Sequence, residues 1–353
     1  MSQIAYVGGY STPDRKGRAD GINVYRVESP LGRWTHLRHV PAFDNPSFLR
    51  IGPDGQTLYA VHGGRNCVSA FAITPANGYL SPLNRQDSGG RNPVDLGFDA
   101  AGRHVVVAHY TSGTVGVLPI RKDGSLGTLA QSIALTDTRA ARTEDQPGPL
   151  PHGVTSDPTG RFLLIPDKGL DQVFTFTFEG GVLVPAAQPS AATQPGSGPR
   201  HAAFHPTLPL LYVVCELSNT VEVFSWDGAT GGLKALQSIS SLPSDTATGF
   251  ASEIAVSPSG DCVYCSNRGH DSIARFSANQ QSGLLRFEDC TPTGGQEPRA
   301  FAIHPSGEAL HVANQATDEI ATFAIDAAGG KLSGRRVSLT TGTPTAICFG
   351  KNR

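Results

Sequence analysis

Six ionisable residues stand out by spacing as well as by type: His152, Lys168, Arg200, Glu216, Arg268 and Arg299. His152 and Lys168 are sixteen residues apart, as are Arg200 and Glu216; Arg268 lies sixteen after Ser252, and Arg299 sixteen before Gln315. A chain in which only 16% of residues are charged thus gathers four cations, a carboxylate and an imidazole at one recurring register. Arginine offers a carboxylate or phosphate a planar two-pronged donor and lysine a mobile point charge, so the expected ligand is a small anion. A lone glutamate among cations stays ionised, while a histidine exchanges a proton near neutral pH, which is the pairing that acid–base chemistry on such an anion uses. The catalytic candidates are His152, Glu216, Arg200 and Arg268. Arg299, Lys168, His201 and Gln315 are the ligand-binding candidates, with Glu253 in support. The competing reading is structural, in which Arg–Glu pairs merely satisfy one another.

The register comes from a repeat. Six segments of 28 residues start with Pro or Ala: Pro46 to Ile73, Pro93 to Ile120, Pro151 to Phe178, Pro199 to Trp226, Ala251 to Ala278 and Pro298 to Ile325. Each reads as a short strand, a turn such as GPDG or SPSG, a β-rich second strand and a third strand. A seventh copy opens at Pro344 with PTAICF, and its second and third strands are supplied by IAYVGGY and GINVYRV at the other end of the chain. The pattern predicts an all-β, seven-bladed β-propeller spanning residues 1–353 as one domain, closed by pairing the N-terminal strands with the C-terminal one. Outer fourth strands are expected near Leu233 to Ile239 and Leu284 to Cys290. A pair of β-sandwiches would not give equal hairpins or a split final unit.

In each hairpin the residue after the opening Pro or Ala and the residue sixteen further on share one end, which rings one mouth of the channel. One set is Ser47, Val94, His152, Arg200, Ser252, Arg299 and Thr345; the other is Gly63, Tyr110, Lys168, Glu216, Arg268, Gln315 and Tyr10. His205 and His304 precede proline and are expected to cap turns, whereas His62 and His109, one residue off the register, fit either a structural or a site role. The segment from Asp137 to Leu150 is read as a rim loop.

A formal net charge of −2 argues against a nucleic-acid-binding surface. No run reaches the apolar length of a membrane span and the opening residues lack a signal-peptide pattern, so a cytoplasmic location is expected. The six cysteines sit mostly in strand-like segments; Cys262 and Cys265 should point to opposite faces, and neither a disulfide framework nor a metal role is expected. The glycine-rich GGY and GGRNP elements are not followed by helix-period sequence, and G-x-S-x-G is absent, so neither a nucleotide cofactor nor a nucleophile elbow is implied.

At these same residues the sequence resembles the propeller-type lactonase family, which contains bacterial cytoplasmic 6-phosphogluconolactonases and fungal 3-carboxy-cis,cis-muconate lactonizing enzymes. The resemblance is carried by PHGVTSDPTGR (Pro151 to Arg161), GPRHAAFHP (Gly198 to Pro206), YVVCELSNTVEVF (Tyr212 to Phe224), YCSNRGHDSIARF (Tyr264 to Phe276) and QEPRAFAIHPSG (Gln296 to Gly307). It implies site residues at His152, Arg200, Glu216 and Arg268, and a small anionic lactone as substrate. The leading expectation is metal-independent hydrolysis of 6-phosphoglucono-δ-lactone to 6-phosphogluconate, in the pentose phosphate pathway. There Glu216 or His152 activates water and the arginines polarise the carbonyl. The alternatives are a cycloisomerase closing a carboxymuconate to a lactone and, further off, a non-catalytic protein-binding scaffold. The sequence departs from the shortest family members in a longer first loop, Ser11 to Gly21.

Overall fold

The computed structural model describes residues 2–136, 143–244 and 248–350. Its strands form seven four-stranded antiparallel sheets, and the one helical turn among the described residues, Pro13–Arg15, lies in the first loop. Each inner strand packs on the next around a closed circle, so the sheets are the blades of a propeller. The first blade shows the plan: Pro46–Ile51, Thr57–His62, Cys67–Ile73 and Leu80–Asp87, ordered from channel to rim. The seventh is composite, with Pro344–Phe349 innermost and paired to Gln3–Gly9 through Ala5 with Phe349, Tyr6 with Cys348 and Val7 with Ile347. The expected outer strands form as Gly232–Ser240 and Leu285–Pro292.

The second strand of each repeat explains why the sheets stack. Leu210–Cys215 reads LLYVVC and is buried throughout. Leu210, Tyr212 and Val214 face the fifth blade, while Leu211, Val213 and Cys215 face the third. A strand covered on both sides reads as a continuous apolar run instead of alternating with polar residues. Seven such clusters fill the seven gaps between blades, including the gap between the seventh blade and the first. Cys262 and Cys265 fall in different gaps, as strand alternation requires, and all six cysteines are free. A tyrosine recurs in these strands: the hydroxyls of Tyr6, Tyr59, Tyr212 and Tyr264 donate to the carbonyls of Gly78, Gly124, Gly283 and Gly330 at 2.8, 2.9, 2.9 and 2.6 Å, each in the next blade.

The inner strands bulge at one place. The register shifts between Pro46 and Phe48, Pro93 and Asp95, Pro199 and His201, Ala251 and Ile254, and Pro298 and Ala300. The residue after the opening Pro or Ala is the extra one, released from the ladder and free to turn into the channel. The opening proline has no N–H to contribute there. The third blade departs from expectation: its inner strand shrinks to Thr155–Ser156, with Pro151 joined to Asp167 only by an isolated bridge. The Val154 N–H is diverted to Asp95 Oδ2 of the second blade, 2.8 Å away, and so is lost to its own sheet. Of the rim loop read at Asp137 to Leu150, residues 137–142 lie outside the described residues. Gln146 ties the rest to the third blade, its Nε2 donating to Lys168 O at 2.6 Å and Asp171 Oδ1 at 2.8 Å.

Candidate active site

All of the second set of mouth residues except Arg268, which ends the strand Cys262–Arg268 opposite Phe250, are placed by one repeated hydrogen bond. The N–H groups of Gly63, Tyr110, Lys168, Glu216, Gln315 and Tyr10 donate to the carbonyls of Asn45, Asn92, Leu150, Gly198, Glu297 and Thr343, at 2.7–3.2 Å. Part of this set, with some of the bulged residues opposite, surrounds a cavity of about 390 Å³ at one mouth of the channel. His152, Glu216, Arg268, Arg299 and Gln315 line it, as do Tyr10, Tyr110 and Val94. Arg200, His201 and Glu253 lie further along the inner strands around a smaller void that shares Val94 and Arg299 with the cavity. Lys168 lines neither, although it is buried at the same end.

Glu216 is the hub. Lys168 Nζ donates to its Oε1 at 2.6 Å, and Arg200 Nε and Arg268 Nη2 lie 3.0 and 3.2 Å from its Oε2. Burial works to raise its pKa, but Arg268, Arg200 and Lys168 outweigh burial and hold the carboxyl at about 2. A carboxylate so occupied is a poor proton acceptor. The two arginine contacts are ion pairs without hydrogen-bond alignment: among the described residues Arg200 Nε and Arg268 Nε and Nη2 are buried with no hydrogen-bond partner. Arg200 is anchored by its Nη1, which donates to Ser252 O at 2.7 Å. Burial above all, with Arg299 and Arg268 nearby, lowers its pKa to about 10, leaving it protonated at neutral pH.

His152 is only 5% exposed. Burial first, then Arg200, His201, Arg299 and Lys168, hold its pKa well below the usual imidazole value, so the ring is neutral. Its Nδ1 has no partner among the described residues, and its ring packs edge-on against Tyr110 and His201, with centroids 5.6 and 5.3 Å apart. His201 Nδ1 lies 2.9 Å from Glu253 Oε1; burial pushes the Glu253 carboxyl up, but His201 and Arg200 bring it below its ordinary value.

The four other histidines singled out in the sequence are structural. His205 Nδ1 accepts the N–H groups of Thr207 and Leu208 at 3.1 and 2.9 Å, and His304 Nδ1 that of Ser306 at 3.1 Å, the turn caps expected of them. His62 bridges Asp44 O and Ser69 Oγ at 2.9 and 2.8 Å, and His109 Nδ1 lies 3.1 Å from Thr114 O; burial first holds both near pKa 4.

Several residues of the site lie outside the repeat register. Asp14, Arg15 and Lys16 of the first loop line the cavity with Asn92. Asp95, 3% exposed, has Oδ1 3.3 Å from Arg50 Nη2. Asp167 Oδ1 accepts the N–H groups of Leu150, Gly169 and Leu170 at 2.9, 2.9 and 3.0 Å, fixing the turn that carries Lys168. Asp167 had a signal: polar residues recur sixteen after the opening residue, at His62, His109, Asp167, Asn267 and Asn314, all fully buried at or next to the end of the second strand. Taken together, the cavity offers cationic donors with unused hydrogen-bonding capacity, beside a neutral imidazole.

The family model for the seven-bladed β-propeller lactonases matches residues 4–349. The chain belongs to that family. Among its relatives, the 6-phosphogluconolactonase of Bacillus subtilis is 34% identical over 301 residues, covering 84% of each chain. That of Formosa agariphila is 31% identical over 309 residues, 84% of this chain and 85% of the relative. Among solved structures of similar chains, the periplasmic gluconolactonase of Pseudomonas aeruginosa superposes with a TM-score of 0.91 at 30% identity, over 99% of both chains. The mouth cavity is therefore carried on a scaffold whose relatives are lactone-hydrolysing enzymes.

Proposed function

We propose that the chain hydrolyses 6-phosphoglucono-δ-lactone to 6-phosphogluconate, without a metal ion. The observation that carries this reading is the charge of the cavity: Arg15, Lys16, Arg268 and Arg299 against Asp14 and Glu216, with His152 neutral, in a chain of net charge −2. Such a cavity concentrates a small anion, and the same field disfavours a divalent cation. Its one buried carboxylate, Glu216, is already held by three cationic side chains.

In this mechanism the Arg268 guanidinium, which lines the cavity, faces the lactone carbonyl oxygen, and Arg200, held beside it on Glu216, adds its charge. His152 takes a proton from water as its oxygen bonds to the carbonyl carbon, and the tetrahedral oxyanion is stabilised by the two guanidinium groups. The ring carbon–oxygen bond then breaks, and the leaving hydroxyl oxygen receives the proton from His152. Glu216 positions the arginines and Lys168 and does not act as base. Substrate charge assists: an anion that offsets Arg299 removes part of what depresses the His152 pKa and makes it a stronger base when it is needed.

The test is hydrolysis of freshly generated 6-phosphoglucono-δ-lactone with chelator present, over the spontaneous background. The wild type should accelerate it, and Arg200→Ala should lose on the order of 100- to 1000-fold in kcat. No acceleration by the folded protein, alongside ring closure of a carboxymuconate, would replace hydrolysis with the cycloisomerase reading.

A further inference from the structure

The loop from Ser11 to Gly21 crosses from the seventh blade over the mouth and is fastened on two sides. On one, Asn45 Oδ1 accepts the Ser11 and Thr12 N–H groups at 2.8 and 3.0 Å. On the other, the Arg18 N–H donates to Thr343 Oγ1 at 2.9 Å, and Arg18 pairs with Asp318 at 2.5 Å. Between the anchors, Pro13–Arg15 makes one helical turn that ends on Lys16 in the left-handed region, φ 50°. This strap delivers Asp14, Arg15 and Lys16 to the cavity.

A seat is built for Arg15. Its Nη2 donates to Asn92 Oδ1 at 3.2 Å, the same oxygen that accepts the Gly64 N–H at 2.7 Å. A Cβ on Gly64, at φ 79°, would come within 3.4 Å of the guanidinium. Gly63 likewise leaves space: a Cβ there would stand 3.0 Å from Tyr10 Cε1. The guanidinium carbons of Arg15 and Arg299 each lie 5.5 Å from the Tyr10 ring centroid. Neither arginine is within ion-pair distance of a carboxylate among the described residues, and Asp14 in the same cavity offsets only part of the charge of the pair. Arg200 and Arg268 are by contrast held on Glu216.

We propose that Arg15 and Lys16 on the strap, together with Arg299, bind the negative charge of the substrate remote from the lactone carbonyl, and so set the preference for a phosphorylated over an unphosphorylated sugar lactone. The assignment rests on the lactonase reading for its reaction but not for its ligand, a phosphomonoester on a sugar acid or lactone. A fork donor and a point charge on a dianion are the usual partners for such a group.

The experiment compares wild type, Lys16→Gln and Arg15→Gln/Lys16→Gln on 6-phosphoglucono-δ-lactone and glucono-δ-lactone. The ratio of the two kcat/KM values should fall on the order of tenfold to a hundredfold in the double variant, through KM, and by part of that in Lys16→Gln, whose side chain is exposed. Equal losses on both substrates, or an unchanged ratio, would overturn the proposal. Calorimetric binding of 6-phosphogluconate and gluconate tests the strap even if the wild type hydrolyses neither lactone. The phosphorylated acid should bind more tightly to wild type and lose that advantage in the double variant; equal affinity for wild type would refute the assignment.

Discussion

At the scale of single residues, the site divides its charge between a clamp and a base. Glu216 ties down Lys168, Arg200 and Arg268, while His152 is kept neutral by burial and by the cations around it. The sign of the pH effect follows. An imidazole of depressed pKa remains a competent acceptor well below the ordinary value near 6.5, so kcat/KM, which reports free enzyme, should hold nearly constant from pH 7 to pH 6. Once an anionic substrate offsets the cations, the pKa rises in the complex, so kcat should fall at a higher pH than kcat/KM as the solution is acidified. A pH–rate series in both parameters checks this, with His152→Gln expected to lose on the order of 100-fold or more of the acceleration. The reverse order of the two acid limbs would remove His152 as base. These residues were legible in the sequence because the sixteen-residue spacing marks one end of each hairpin. Their roles were not. That Lys168 ends on Glu216 and not in the cavity depends on distances between different blades. Arg15 and Lys16 sit in an insertion between two strands of the split unit that no other unit has, so no register could place them.

At the scale of strands, the repeat predicts where chains turn but not where they bulge. The bulge after each opening residue aims Arg200 and Arg299 at the channel; it forms after Ala251 as it does after the prolines, so the missing proline N–H accompanies it without being its cause. The shortened inner strand of the third blade was not visible, because Val154 takes its partner from Asp95, 59 residues earlier in the chain. The recurring tyrosines act at this scale too. Tyr212 is fully buried and its hydroxyl reaches the Gly283 carbonyl, so Tyr212→Phe keeps the packing and leaves a buried carbonyl without that donor. Denaturant unfolding should show a loss of about 1–2 kcal/mol. A loss below a few tenths would mean that the packing of the ring, and not the hydrogen bond, joins the fourth and fifth blades.

For the whole molecule, stability depends on meeting end to end. The innermost strand of the seventh blade is Pro344–Phe349, and Gly350 N donates to Ile4 O at 2.8 Å beside it. A chain ending at Gly342 would uncover the edge of Gln3–Gly9 and the faces of two neighbouring gaps. An exposed edge of this kind recruits other chains. Sedimentation and thermal unfolding should show concentration-dependent association and a lower midpoint. A monomeric truncation with the wild-type midpoint would show that six blades and three strands of the seventh suffice. The closed ring was readable from the split repeat alone, since PTAICF and IAYVGGY make sense only as halves of one unit.

Spacing between repeats tells a further story about the ring. The 28-residue hairpin unit keeps its length from blade to blade, whereas successive starts are 46 to 58 residues apart, and the widest interval carries the segment that ends at Leu150. A closed circle of wedges admits no extra wedge, so growth of the chain is channelled into its connectors. The strap over the mouth is the exception that lies within a unit, between the second and third strands of the split seventh blade, fastened at both ends yet forming none of the seven sheets. Exchange of that short segment between relatives is thus a route by which ligand preference can diverge while the carboxylate clamp and the imidazole stay where the ring puts them.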